Sequence, residues 1–141
     1  MSAATEPFSY VERVRFAEID AMQHMNNVEF LRFYETARIA WMSTVMSDYE
    51  PVPRGSLSVI FAECHIHYRA PAFFGDEIRT AILPTDLRRS SVRLGFEMHR
   101  DSDGTLLADG YGVLVGYDYE AGATRPFSDE VRESLTPTLI G

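Results

Sequence analysis

The chain has 141 residues, 45% of them hydrophobic, which is enough for one compact domain with a sizeable core and too few for two ordinary ones. Thirteen Lys and Arg against twenty-one Asp and Glu give a formal charge of -8. That excludes a broad basic face able to release counterions from nucleic acid or to adhere to an anionic membrane, while leaving room for a local positive pocket. Cys64 is the only cysteine, so there is no intramolecular disulfide framework. The first residues lack a basic n-region and a continuous apolar run, no apolar segment is long enough to span a bilayer, and no internal repeat is visible. The expectation is a cytoplasmic, single-domain protein over 1–141, with its core at about 8–120 and a C-terminal tail at 121–141.

Met1 to Pro7 read as a loose leader. Tyr10, Glu12, Val14 and Phe16 then alternate with Val11, Arg13 and Arg15, the period of a partly solvated strand. The run from Ala17 to Met25 breaks that alternation and precedes Asn26, an N-cap with Glu29 three residues on to complete a capping box. A helix is therefore expected from Asn27. Phe30, Phe33, Tyr34, Ala37, Trp41 and Val45 recur at the spacing of one helix face, and Glu29, Arg32, Glu35 and Arg38 form a charged side.

Pro51 and Pro53 lie in a short polar stretch, Ser47 to Gly55, that must end the helix. Four strands are predicted beyond it, at Leu57 to Arg69, Asp76 to Leu83, Ser90 to Arg100 and Leu106 to Tyr119, with Ser102-Asp103-Gly104 as the hairpin signal between the last two. Strand, helix, then four strands fits an α+β domain in which a long amphipathic helix is wrapped by one five-stranded antiparallel sheet, and disfavours a parallel Rossmann arrangement. The tail carries Pro126 and Pro137 and one short helical stretch around Asp129 to Leu135, with no expected catalytic part. Apolar residues on both sides of several strands, among them Phe61, Ile66, Tyr68, Val92, Leu94, Phe96, Val113 and Val115, call for a second subunit, so a homodimer or homotetramer is expected.

Asp20 and His24 flank the turn before the helix. A carboxylate there can approach first-turn N–H groups that have no partners inside the helix, a geometry suited to an ester or thioester. Those N–H groups, that of Asn27 above all, can stabilise a developing oxyanion while Asp20 either attacks the acyl carbon or takes a proton from water. The plainer alternative is that Asp20 is a local cap or turn residue with His24 packed beneath it. Glu63, His65 and His67 share one strand face, but no neighbouring ligands complete a metal set, so no metal and no cofactor is expected; His65 or His67 can instead line an acyl tunnel. Cys64 reads as a buried small hydrophobe. Arg88 and Arg89 form the most local basic pair and suit the phosphates of a ligand, with a solvated face as the equally open alternative and Arg125 a weaker candidate.

The segment Arg15 to Asn27, followed by Val28 to Glu35, resembles the signature of the 4-hydroxybenzoyl-CoA thioesterase branch of the hotdog superfamily, with Asp20, His24, Asn26 and Asn27 as its core. Tyr68 to Glu77 resembles the strand and turn of that family, and Arg89-Ser90-Ser91 the strand start near which it holds the nucleotide end of CoA. The resemblance implies a hotdog-fold acyl-CoA thioesterase in which Asp20 is the catalytic carboxylate, Asn27 gives a backbone N–H to the thioester carbonyl, and paired subunits build the sites together. On this reading His24 joins Asp20 and Asn27 in catalysis, and Asn26, Tyr34, His67, Tyr68, Arg88, Arg89, Ser90 and Ser91 hold the substrate, an acyl-CoA or an acyl-carrier-protein thioester. Many members have Gly immediately before the His. Here Gln23 stands there, so either the turn needs no positive φ or Gln23 fills a position otherwise kept clear. Two other functions remain open: a dehydratase or hydratase on the same fold, with Glu35 as its acid, and a non-catalytic acyl-CoA binding protein.

Overall fold

Alternation holds only briefly at the start of the chain. A computed structural model describes residues 6–46 and 58–140, so most of the leader and the Ser47 to Gly55 connection lie outside the described residues. Strand β1 covers Ser9–Arg13. The longer strand expected through Phe16 stops because Val14 N–H makes a last rung to Asp76 O (2.8 Å) and the chain then enters a 3-10 turn at Phe16–Glu18. The Glu18 carboxylate folds back onto Arg15 N–H (2.7 Å) and closes that turn.

Helix α1 spans Asn27–Val45 and is capped by Asn26, whose side-chain oxygen accepts Val28 N–H at 2.9 Å. The return half of the expected capping box does not form, because its donor is engaged elsewhere. Asn26 N–H already donates to Glu18 O (2.9 Å), and the Glu29 carboxylate turns toward Arg32 instead (3.6 Å). Strands β2 (Val59–Tyr68), β3 (Glu77–Thr85), β4 (Ser91–Arg100) and β5 (Leu106–Asp118) follow, then a two-residue β6 (Ala123–Thr124) and helix α2 (Asp129–Leu135). The sheet is antiparallel in the order β1-β3-β4-β5-β2, with β6 added to β5. The β4–β5 hairpin turns as expected, with Gly104 at φ +73° and Asp103 accepting Thr105 N–H.

Register decides which residues meet the helix. Val92, Leu94, Phe96 and Met98 of β4 are buried together with Phe30, Phe33, Tyr34, Ala37 and Trp41 of α1, each such side chain contributing roughly 1.5–3 kcal/mol by leaving water. Across β5, the pairs Tyr68↔Ala108, Ile66↔Gly110, Cys64↔Gly112 and Phe61↔Leu114 put these β2 residues on the same face, and a register slip between Phe61 and Glu63 keeps Phe61 in line with Cys64. Val113 and Val115, together with His65 and His67, fall on the opposite face. Gly112 makes room for the helix side: a Cβ there would lie 2.3 Å from the Phe61 ring and 2.7 Å from the Tyr34 hydroxyl. In the tail, Phe127, Val131 and Leu135 are buried, and Phe127 N–H and the Arg132 guanidinium bind the carbonyls of Arg89 and Arg88. Among the described residues no helix is long and apolar enough to cross a membrane.

Candidate active site

The turn before α1 is held at both ends. Ile19 and Met25 form an isolated bridge, Asp20 N–H donates to His24 O (3.1 Å), Gln23 N–H donates to Asp20 O (2.9 Å), and Met25 N–H is tied to Ala72 O (2.7 Å). Gln23 sits at φ +67°, so the turn does require the left-handed region, and a glutamine occupies it here.

This turn aims the Asp20 carboxylate. Oδ1 accepts Met22 N–H at 2.9 Å and Oδ2 accepts the Asn26 side-chain amide at 3.3 Å. Of the first four N–H groups at the helix start, Asn26 N–H donates to Glu18 O, Val28 N–H to the Asn26 side chain, and Glu29 N–H to Asn26 O. Among the described residues no acceptor meets the fourth, that of Asn27. A half-buried carboxylate and an unpaired donor carrying the positive end of a helix dipole thus lie beside one another, a combination able to hold a carbonyl oxygen and act on its carbon.

The other expected residues divide. Tyr68 stands at the helix start, its hydroxyl donating to Asn27 O (3.1 Å) and its ring meeting Phe30 edge-on. The His24 ring does not reach Asp20; its nearest polar neighbour is Met25 O, 3.4 Å from Nδ1, and its tie to Asp20 runs through its backbone carbonyl. Tyr34 is 1% exposed, donates to Leu94 O at 2.7 Å and stacks on Phe96, so it supports the floor from below; burial pushes its hydroxyl pKa up. His65 and His67 are on the sheet face away from α1, where His65 stacks on Tyr111 and His67 faces Asp109. Among the described residues no three His, Cys, Asp or Glu side chains are grouped to hold a metal.

Arg88, Arg89, Ser90 and Ser91 are at the far end of the sheet. Strand β3 leaves Asp76, beside Val14, and its nine residues at about 3.3 Å each carry the chain about 30 Å away before that loop begins. Arg88 is turned to Asp86 (3.2 Å), and the loop is pinned by Gly116 N–H on Ser90 O.

The helix's charged side differs from the expected one at Arg38, which the sequence places with Glu29, Arg32 and Glu35. Its side chain is only 12% exposed and lies over the Phe61 ring at 4.1 Å and the Tyr34 ring at 5.3 Å. Its position four residues after Tyr34 was the available signal, since that spacing puts it on the flank of the apolar face.

A long helix laid across an antiparallel sheet is the hotdog fold. The chain belongs to the thioesterase-like superfamily, whose pattern matches residues 14–135, and the chemistry of that family is hydrolysis of acyl thioesters. It is similar to the long-chain acyl-CoA thioesterase FadM of Escherichia coli, with 27% identity over 124 residues, 87% of this chain and 92% of that one. It is also similar to a thioesterase from Thermus thermophilus solved with coenzyme A and Zn, at 28% identity and a TM-score of 0.81 over 94% of each chain. A predicted thioesterase from Bacillus stearothermophilus shares the fold at a TM-score of 0.84 and 20% identity, over 94% of this chain and 96% of that one.

Proposed function

We propose that the protein hydrolyses acyl-CoA thioesters to a free acid and CoA, and that it does so as a dimer or larger homo-oligomer. The observation that carries the reading is the Asp20 carboxylate, clamped by Asn26, next to the unpaired Asn27 N–H. The N–H and the helix dipole stabilise charge on the thioester oxygen. Asp20 either takes a proton from a water that attacks the carbon, or attacks it directly to give an anhydride that water then opens. In both routes the C–S bond breaks and the sulfur leaves as thiolate to be protonated. A carrier-protein thioester presents the same pantetheine arm and is the nearest alternative substrate. The dehydratase reading is disfavoured, because Glu35, its acid, is 62% exposed and turned to solvent.

The oligomer is argued from β2, which among the described residues pairs only with β5 and has no partner on its other edge. An antiparallel β2–β2 pair between copies reverses the strand direction. One subunit's Arg88–Ser91 loop then comes to the end of the sheet where the other's Asp20 lies, which reconciles a CoA-phosphate role for Arg88 and Arg89 with their distance from Asp20 in one chain.

The test is thiol release from a panel of acyl-CoAs by the parent and by Asp20→Asn. A loss of about 10² to 10⁴ in kcat with the fold and substrate binding kept is expected. A folded Asp20→Asn protein that works at near the parent rate sinks the assignment. A single turnover in oxygen-18 water separates the routes: direct water attack labels the released acid at once, while attack by Asp20 gives an anhydride whose hydrolysis at the aspartyl carbonyl leaves an oxygen of Asp20 in the product.

A further inference from the structure

One flank of α1 faces the free edge of the sheet. Asn27, Leu31 and Arg38 share that flank by spacing, and β2 runs beside it in the opposite direction. At one end the Tyr68 hydroxyl meets Asn27 O (3.1 Å); at the other the Arg38 guanidinium lies over the Phe61 ring (4.1 Å). The strip between them is bordered by Ile66, Cys64 and Phe61, all on the helix side of β2. Eleven residues of helix at about 1.5 Å each make it about 16 Å long, shortened by the lean of the arginine side chain toward the helix start. The described side chains along it, Leu31, Ile66, Cys64 and Phe61, are apolar, and Arg38 stands at its far end.

Arg38 is held by aromatic rings and, among the described residues, makes no hydrogen bond to a carboxylate. The Phe61 and Tyr34 rings offer it cation–π contacts. Among the described residues its nearest anion is the exposed Glu35, 4.0 Å away and beyond hydrogen-bond reach. Burial pushes the Cys64 thiol pKa up, and the charge of Arg38 opposes that push. We infer that the acyl groups this site takes end in a carboxylate, which Arg38 receives. The inference rests on the thioesterase reading of Asp20 and Asn27 and names its substrate class. A methyl-ended chain laid to this depth covers the guanidinium and strips its water with nothing in return. A terminal carboxylate replaces that water with two parallel charge-assisted hydrogen bonds. Chains too short to reach Arg38 gain nothing from the charge, so the preference rises with length until the carboxylate meets the guanidinium.

Thiol release is measured on pairs of equal length that differ only at the far end: hexanoyl- and adipyl-CoA, octanoyl- and suberyl-CoA, decanoyl- and sebacyl-CoA. The parent is expected to favour the carboxylate-ended partner of at least one pair by about tenfold or more in kcat/KM. Arg38→Met is expected to invert that ratio, and Arg38→Lys to keep a smaller preference because it retains the charge without the planar fork. If Arg38→Met does not fold, Arg38→Lys alone decides: a reduced ratio supports the inference and an unchanged one overturns it. A parent that hydrolyses the methyl-ended esters as well as or better than their partners overturns the inference and leaves the thioesterase reading intact. Folded parent that hydrolyses none of the panel overturns both.

Discussion

The side-chain amide of Asn26 donates to Asp20 Oδ2 at 3.3 Å while its carbonyl oxygen accepts Val28 N–H at 2.9 Å. One side chain therefore starts the helix and orients the carboxylate beside it. Its amide cannot be flipped without losing both bonds.

The two tasks of Asn26 can be pulled apart. Asn26→Asp keeps an oxygen for the cap and sets a second carboxylate against Asp20, so stability is expected to match the parent at acidic pH and to fall below it as both groups ionise, while kcat falls and its pH profile moves upward. Asn26→Ala loses both tasks and costs about 1 kcal/mol of stability as well. Thermal melts beside pH–rate profiles read the split; a normal profile for Asn26→Asp would show that the amide does not act on Asp20.

Complementation tests the shared site. Asp20→Asn homodimers lack the carboxylate, and Arg88→Ala/Arg89→Ala homodimers are expected to show a raised KM for full-length CoA esters with little change for truncated pantetheine esters. Co-expressed heterodimers carry one complete site if the loop acts across the interface, and activity at low substrate then exceeds the sum of the two homodimers. Strict additivity, with mixed dimers shown by mass, rejects the cross-subunit arrangement.

Gly112→Ala is expected to destabilise the fold by about 1–3 kcal/mol, because the added methyl meets the Phe61 ring and the Tyr34 hydroxyl. Tyr34 is fixed by its bond to Leu94 O, so Phe61 must yield. Urea unfolding midpoints at unchanged slope give the measurement, and a neutral result would mean that Phe61 swings outward at no cost.

Glu12 supplies a pH-dependent contribution. One of its oxygens is buried without a partner, and desolvation raises its pKa, with the neighbouring Arg15 charge opposing and Glu18 assisting. A folded-state pKa above the unfolded value means that the unfolded chain gives up the proton first. The cost to stability therefore grows as pH rises through the carboxylate range and is fully present at neutrality. Glu12→Gln is expected to stabilise at pH 7 by less than about 1 kcal/mol and to give no gain below that range. Melting curves at the two pH values check the sign.

Much of this was legible from spacing. The helix and the four later strands follow from periods of 3.6 and 2, and the cap at Asn26 from residue type. The helix-start cluster was legible because its members lie within eight residues of one another, from Asp20 to Asn27. What escaped depends on register and long-range contact. A slip between Phe61 and Glu63 keeps Phe61 on the same side of β2 as Cys64, and no local pattern announces it; His67, expected at the substrate, faces outward. Arg38 falls at the helical spacing of Glu29, Arg32 and Glu35, and its inward turn meets Phe61 of a distant strand as well as Tyr34 one turn before it. Gln23 shows the opposite limit: the turn demands a positive φ whichever residue fills it.

The free edge of β2 has a consequence for how the protein is made. A ten-residue strand whose outer edge has no partner among the described residues, with apolar residues on its helix side, is a template for any extended segment that arrives first. If the proposed homo-oligomer forms through this edge, the newly made protein is in a race between a second-order encounter with its own kind and capture by unrelated nascent chains. Yield in the cell is then governed by synthesis rate and local copy number as much as by the stability of the folded subunit, and translation of neighbouring copies from one message favours the correct partner.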